Sequence, residues 1–237
     1  MRYAPRAQAP GANVYSNDPR DVWVDEAGRL HLRVAHRNGQ WLCTELSTPG
    51  VGYGTYVFYV SGQVDRMDPN VVLGLFTWDP KLFETGAWDE IDIEMTRWGK
   101  GFWNLQYSVQ PLYGPDSPNG RYDERSKQWY FALEEPRSTH VIVWTPDSVR
   151  FQTYQGFSRD LLNLRGDWEF TSDHPARRAN DTNLATPVGI PPATPSMEMH
   201  LDLWLNDTDK DGFGDPPMNG METEVVIDAV EFIPAGI

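Results

Sequence analysis

The sequence predicts an all-β protein, a sandwich or jelly roll of two antiparallel sheets. Three observations carry that reading. No stretch of useful length shows the 3.6-residue apolar period of an amphipathic helix. Short alternating or apolar runs instead follow one another along most of the chain, with turn-forming pieces between them. The 20 Gly and 19 Pro suit a chain that reverses often.

The runs can be taken in order. Leu30-Leu32-Val34 alternates, which puts its apolar side chains on one face. Tyr53 to Val60 and Val71 to Trp78 are denser in β-branched and aromatic residues, as strands are. Residues 88–94, WDEIDIE, form the next run. Phe102 to Val109, Thr139 to Thr145, Val149-Phe151-Thr153, Met197 to Leu205 and Val225 to Ile233 complete the set. Turn signals such as Arg37-Asn38-Gly39, Thr48-Pro49-Gly50 and Pro118-Asn119-Gly120 separate them. Residues 172–196 are polar and dotted with proline, and a loop beyond about 12–15 residues is usually functional or flexible. A linker is the alternative, but residues 197–237 are too few for a second core, so the stretch reads as a loop flanking a cleft. Residues 1–12 read as a loosely held tail, and 1–237 as one domain.

Composition narrows the function. The formal net charge of −14 argues against holding nucleic acid or an anionic membrane through bulk charge and favours a neutral or cationic partner. No segment approaches the roughly 18 consecutive apolar residues of a membrane span. Ten Trp and ten Tyr exceed what turns require; many belong to a core, but Trp is also a platform for the apolar face of a sugar ring. The single cysteine, Cys43, excludes an internal disulfide and a Cys-based metal cage, and reads as a buried inert thiol. The opening MRYAPRAQAPGANVYS has no apolar h-region, so no signal peptide is visible.

The stretch WDEIDIE raises a physical question. Ile91 and Ile93 favour a strand and point into a core, which sends Glu90, Asp92 and Glu94 together to the opposite face. Like charges on one face repel, so the arrangement needs a reason. Across four extended residues the Cα atoms of Glu90 and Glu94 lie roughly 13 Å apart. Their side chains, leaning together, bring the carboxyls toward the ~5–5.5 Å of a retaining glycosidase, in which one carboxylate attacks the anomeric carbon and the other protonates the leaving oxygen. Asp92 between them would separate their pKa values. Spacing alone leaves a hard-cation site and a solvated acidic edge open as alternatives.

WDEIDIE resembles the active-site motif of glycoside hydrolase family 16, in the uninterrupted E-x-D-x-E form of the bacterial 1,3-1,4-β-glucanases. Further similarities follow in the same order: Arg29-Leu30-His31-Leu32, Gly52-Tyr53-Gly54-Thr55-Tyr56, the run from Thr139 to Phe151, His200-Leu201-Asp202-Leu203-Trp204, and Ile227 to Phe232. Together they span about residues 22 to 233. The resemblance implies a jelly roll with a concave substrate cleft. It implies a retaining, endo-acting hydrolase of a β-linked polysaccharide, foremost a β-glucan. Glu90 then matches the nucleophile, Asp92 the assisting aspartate and Glu94 the general acid/base. Trp88, Glu45, Asn104, Gln106 and Trp204 match substrate-binding positions, with Ser108 next in the same alternation, although Trp204 reads equally well as core. No cofactor is implied for catalysis, and a monomer outside the cytoplasm, its leader absent from this sequence, is expected. A carbohydrate-binding protein without activity, and a transglycosylase using the same nucleophile, are the alternatives.

Some positions depart from the family pattern. Ser47 stands where the resemblance calls for Arg, Asp202 where it calls for Asn, and Tyr154-Gln155-Gly156 where it calls for VDG; the loop Asp79 to Ala87 has a composition of its own. These positions bear on which sugar is recognised. A structural calcium is implied through Asp228. Separately, Asp207, Asp209, Asp211 and Asp215 are spaced like the start of a calcium loop, with Gly212 at the turn, but Met218 stands where the bidentate Glu would.

Overall fold

The structure is a computed structural model and describes residues 1–50, 52–81, 89–99, 101–112, 125–171 and 189–236. Among these residues the strands are β1 (Ala4–Gln8), β2 (Asn13–Tyr15), β3 (Val22–Val24), β4 (Leu30–Arg37), β5 (Gln40–Leu42), β6 (Thr44–Pro49), β7 (Gly54–Ser61) and β8 (Val71–Trp78). They continue with β9 (Glu90–Met95), β10 (Leu105–Val109), β11 (Ser126–Trp129), β12 (Arg137–Trp144), β13 (Ser148–Gln155), β14 (Leu164–Thr171), β15 (Glu198–Leu205) and β16 (Thr223–Pro234).

Two antiparallel sheets form the sandwich. One runs β11-β10-β9-β8-β15-β6; the other runs β14-β13-β12-β7-β16-β4-β3, with β5 paired to β4. The core lies between them. Ile91, Ile93 and Met95 of β9 are fully buried there, and burying each such side chain stabilises the fold by roughly 1.5–3 kcal/mol. That term fixes the facing of β9, because a one-residue slip would drive the carboxylates into the core and the isoleucines into water. Tyr107 of β10 ties the layers together: its ring stacks on Phe151 at 5.1 Å and its hydroxyl donates to Thr153 Oγ1 at 2.8 Å.

The amino terminus differs from the expected tail. Residues 4–15 form the β1-β2 hairpin, held against β15 and β6. Gly11, at φ +61°, packs so closely that a Cβ there would collide with the Leu205 carbonyl. Tyr15 makes a parallel bridge to Cys43, and Arg2 N–H donates to the Glu45 carbonyl at 3.0 Å. A short polar segment with no apolar period carries no mark of these contacts in sequence. Cys43 is buried, as expected, with its thiol pushed up by burial. Among the described residues no helix is long and apolar enough to cross a membrane.

Candidate active site

Strand register lays the site out in rows across the outer face of the six-stranded sheet. One row reads Gln106, Glu94, Gly74, Asp202, Glu45 from β10 to β6. The next reads Ser108, Asp92, Phe76, His200, Ser47, and a third pairs Glu90 with Trp78. A cleft of about 780 Å³ opens on these rows. Glu90, Asp92 and Glu94 all line it, so the structure brings the three predicted carboxylates together in one cavity. The amino-terminal segment forms a wall, with Met1 and Arg2 ahead of the hairpin and Gln8, Ala9 and Pro10 within it.

The carboxylates differ in environment. Burial, followed by the negative charge of Glu90, pushes Glu94 up to about 8, while the hydrogen bond from Gln106 works in the other direction. Asp92 is also raised well above the carboxylate range, first by burial, then by the charges of Glu90 and Glu94 and by a hydrogen bond shared with Glu90. Gln110 Nε2 donates to Asp92 Oδ2 at 3.2 Å. Both shifts favour the protonated form, that of Glu94 through burial and the charge of Glu90, that of Asp92 through burial and the two glutamates beside it.

Gln106 is oriented from behind. Its Oε1 accepts from Trp98 Nε1 at 3.2 Å and Gln128 Nε2 at 2.9 Å, which leaves Nε2 to donate to Glu94 Oε2 at 3.1 Å and Ser108 Oγ at 3.2 Å. Two donors aimed at one oxygen fix the amide orientation. Gln106 thus reaches the site as a holder of Glu94. Glu45 is pushed up by burial, but hydrogen bonds from His200 (2.8 Å) and Arg2 (2.6 Å) outweigh that and leave it below its ordinary value. His200 stacks on Phe76 at 4.9 Å. Trp204 is 7% exposed: it packs into the core, meets Trp98 edge-on at 6.1 Å, and still lines the cleft.

Asn104 requires a correction. Its Nδ2 donates to the carbonyls of Asp65 (2.8 Å) and Phe131 (2.7 Å), and its Oδ1 accepts from Phe131 N–H (2.9 Å). The strand begins only at Leu105, and Asn104 stitches loops together beside it instead of facing substrate. Trp88 lies outside the described residues, as do residues 82–87 of the loop after Asp79 and 172–188 of the long polar stretch. Sequence reasoning missed Gly74, Phe76, Trp78 and His200, although period two along Val71 to Trp78 would have placed the first three on one face. It recorded Asp202 only as a departure from a pattern. Nothing in the sequence marks Arg2.

The acidic loop is also partly corrected. Carboxylate oxygens of Asp207, Asp209 and Asp215 all lie within 4.8 Å of one another, whereas Asp211 turns away and accepts from Phe213 N–H at 2.9 Å. Asp207 Oδ1 is buried without a hydrogen-bond partner, and so is Asp228 Oδ2, beside the register shift in β16. Asp207, Asp209 and Asp215 form an all-oxygen group with an unsatisfied carboxylate oxygen, which fits a hard cation such as calcium, while Asp228 stands outside that group.

No protein-family model matches the chain, and no curated protein matches it. Solved structures do. The β-glucanase of Bacillus licheniformis superposes with a TM-score of 0.62 at 17% identity, covering 99% of this chain and 90% of that one. The laminarinase catalytic domain of Thermotoga maritima gives 0.61 at 16%, covering 94% and 83%. A Mycobacterium tuberculosis protein described as an immunostimulatory antigen and pseudo β-1,3-glucanase gives 0.60 at 17%, covering 94% and 82%. At these identities the likeness establishes a shared fold, the β-sandwich of the β-glucanases.

Proposed function

We propose that the chain is a retaining endo-glycoside hydrolase of the family 16 type that cleaves a β-linked polysaccharide, foremost a β-glucan. The observation that carries this reading is the set Glu90, Asp92 and Glu94 on one strand face in a cleft, with Glu94 at about 8. A binding protein gains nothing from grouping three carboxyls in one cleft where the charge of Glu90 raises the other two, whereas double displacement needs one acid and one nucleophile at the same bond. Glu90 attacks the anomeric carbon and the glycosidic bond breaks as Glu94 gives its proton to the leaving oxygen. Glu94, now ionised, takes a proton from the water that releases the sugar from Glu90. Asp92 hydrogen-bonds Glu90 throughout, and Gln106 keeps Glu94 aimed. Glu45, Trp204 and Trp88 are assigned to sugar binding.

The test is reducing-end release across β-glucans, xyloglucan and galactans, with NMR of the first-formed anomer. A β product on a β-glucan is expected. No release from any of them, with oligosaccharide binding retained, would make the chain a binding protein, and products longer than the substrate would make it a transglycosylase. A polysaccharide substrate fits a monomeric protein acting outside the cytoplasm.

Calcium is assigned a structural role, held by Asp207, Asp209 and Asp215 and separately through Asp228, without part in the chemistry. A chelator is expected to lower Tm and millimolar calcium to restore it, since a ligand of the native state stabilises it by mass action. A melting curve indifferent to both would remove both sites.

A further inference from the structure

The cleft is closed on the side of β6, and one side chain outside the catalytic set fastens the closure. β6 is the last strand of its sheet, and the backbone N–H of Arg2 donates to the carbonyl of Glu45 on that edge at 3.0 Å. The Arg2 guanidinium reaches in several directions. Its Nη1 donates to Glu45 Oε2 at 2.6 Å, and its Nη2 to the Ala9 carbonyl at 2.7 Å and Gln8 Oε1 at 3.2 Å. The group also lies over the Tyr15 ring, 4.1 Å from its centroid. Arg2 thus ties itself, the turn of the hairpin and the edge strand together. The hairpin is anchored independently. Asn13 Nδ2 donates to the Leu205 carbonyl of β15 at 2.7 Å, and backbone N–H groups of Cys43 and Ser16 donate to the Val14 and Cys43 carbonyls.

We propose that Arg2 is a specificity-determining residue: it fastens residues 1–10 as an end wall that limits how many sugar units the cleft holds on the β6 side of the cleaved bond. The inference rests on the glycoside hydrolase reading and deepens it by stating where the bound part of the polysaccharide stops. Arg2 acts through the wall, as a positioning residue, and takes no part in breaking the bond.

Strand spacing gives the limit a size. From Glu94 on β9 the cavity crosses β8 and β15 to Glu45 on β6, three steps between neighbouring strands. Those steps span roughly 14 Å, the length of about three pyranose units in a β-linked chain. At Glu45 the cavity meets Arg2, with Met1, Gln8, Ala9 and Pro10 in the same lining, so a longer chain has to turn away from the sheet there. Charge keeps the wall in place. Among the described residues that line the cavity Arg2 is the only cation, set against the carboxyls of Glu45, Glu90, Asp92, Glu94 and Asp202. Glu45 is buried, and a charge-assisted hydrogen bond between an arginine and a carboxylate is among the stronger kinds. The other oxygen of Glu45 is taken by His200 at 2.8 Å, so the carboxylate is held from both sides. Without Arg2, Glu45 would keep one of those partners, and residues 8 and 9 would lose their tie to β6.

The experiment maps the contribution of each sugar unit in wild type and Arg2→Ala, with folding checked by circular dichroism. β-Glucan oligosaccharides of increasing length, labelled at the reducing end, give kcat/KM and the position of the cleaved bond. In the wild type, units added on one side of that bond are expected to raise kcat/KM over about three units and then to add nothing. Arg2→Ala removes both the fastening and the bulk of the side chain at the end of the cavity. One further unit on that same side is then expected to add about tenfold in kcat/KM, with the other side unchanged. A wild type with no such limit overturns the wall. So does a variant that leaves the map unchanged or only weakens units already bound, which is what mere support of Glu45 would give. A second measurement needs no substrate and no variant. The Arg2 amide, bonded to the Glu45 carbonyl, is expected to exchange its hydrogen with solvent far more slowly than an unstructured amide, and exchange at the free rate overturns the wall. A wild type that turns over no β-linked polysaccharide sinks the hydrolase reading and the limit on sugar units with it. With an active wild type, failure of the wall shows in the map and the Arg2 amide alone.

Discussion

Replacing Glu90 with Gln is expected to abolish turnover while leaving oligosaccharide binding close to wild type. The amide keeps the shape of the side chain in the cleft but has no anionic oxygen to attack the anomeric carbon. Removing a nucleophile typically costs at least about four orders of magnitude in kcat. The negative charge of Glu90 is also the second cause, after burial, of the raised Glu94 and Asp92. A second consequence follows that does not depend on catalysis. In Glu90→Gln the Glu94 carboxyl should titrate below about 8, and Asp92 should drop with it, as followed by ¹³C NMR of labelled carboxyls. Full activity in the variant would move the chemistry off β9. Lost activity with an unmoved Glu94 would mean that burial alone holds the acid. An α-anomer as first product of the wild type would falsify the nucleophile assignment outright, because it requires water to attack directly.

The carboxylate strand was legible because two independent signals coincide there. β-branched isoleucines set a period of two and a buried face, and the polar residues between them have only the other face to occupy. The sandwich was legible for the same reason: Val71 to Trp78 and Met197 to Leu205 are β8 and β15 almost to the residue. The misses come from contacts between residues far apart in the chain. Arg2 reaches Glu45 across 43 positions, and no local pattern announces that pairing. Asn104 obeyed the alternation of Gln106 and Ser108 on paper, but β10 starts one residue later and the side chain turns to the Asp65 and Phe131 backbones. Asp211 drops out of the group that Asp207, Asp209 and Asp215 form, because the loop folds back on itself where a spacing rule assumes a regular turn. Gly74 shows the limit most clearly. A glycine within a run of apolar residues reads as a weak point in a strand, and only the register and packing show that its missing side chain makes room for the Asp202 carboxyl of the neighbouring strand.

Glu94→Gln tests the other half of the mechanism. With a natural sugar leaving group, kcat should fall by about 10²–10⁴-fold, the range that positioned proton transfer contributes. With an activated aryl glycoside whose leaving oxygen needs little protonation, formation of the glycosyl-enzyme should be nearly unaffected. Its hydrolysis would remain slow, because no base then activates the water, so a burst of phenol followed by a slow phase is expected. In the wild type the same residue sets the alkaline limb of the pH profile, which should bend near 8 as Glu94 loses its proton. The sign for stability follows from the same shift. Glu94 is raised above its ordinary value of 4.5 in the fold, so its favourable contribution is complete below that value and is lost as pH rises through about 8. Asp92 and Asp202, also raised, act in the same direction. Wild-type Tm should therefore decline from about pH 4.5 toward 8, and Glu94→Gln, which has no proton to lose, should decline less and overtake the wild type on the alkaline side. Equal pH dependence of Tm in the two proteins would show that Glu94 is already ionised at neutral pH, and a protonated leaving-group acid would then have to be sought on another strand.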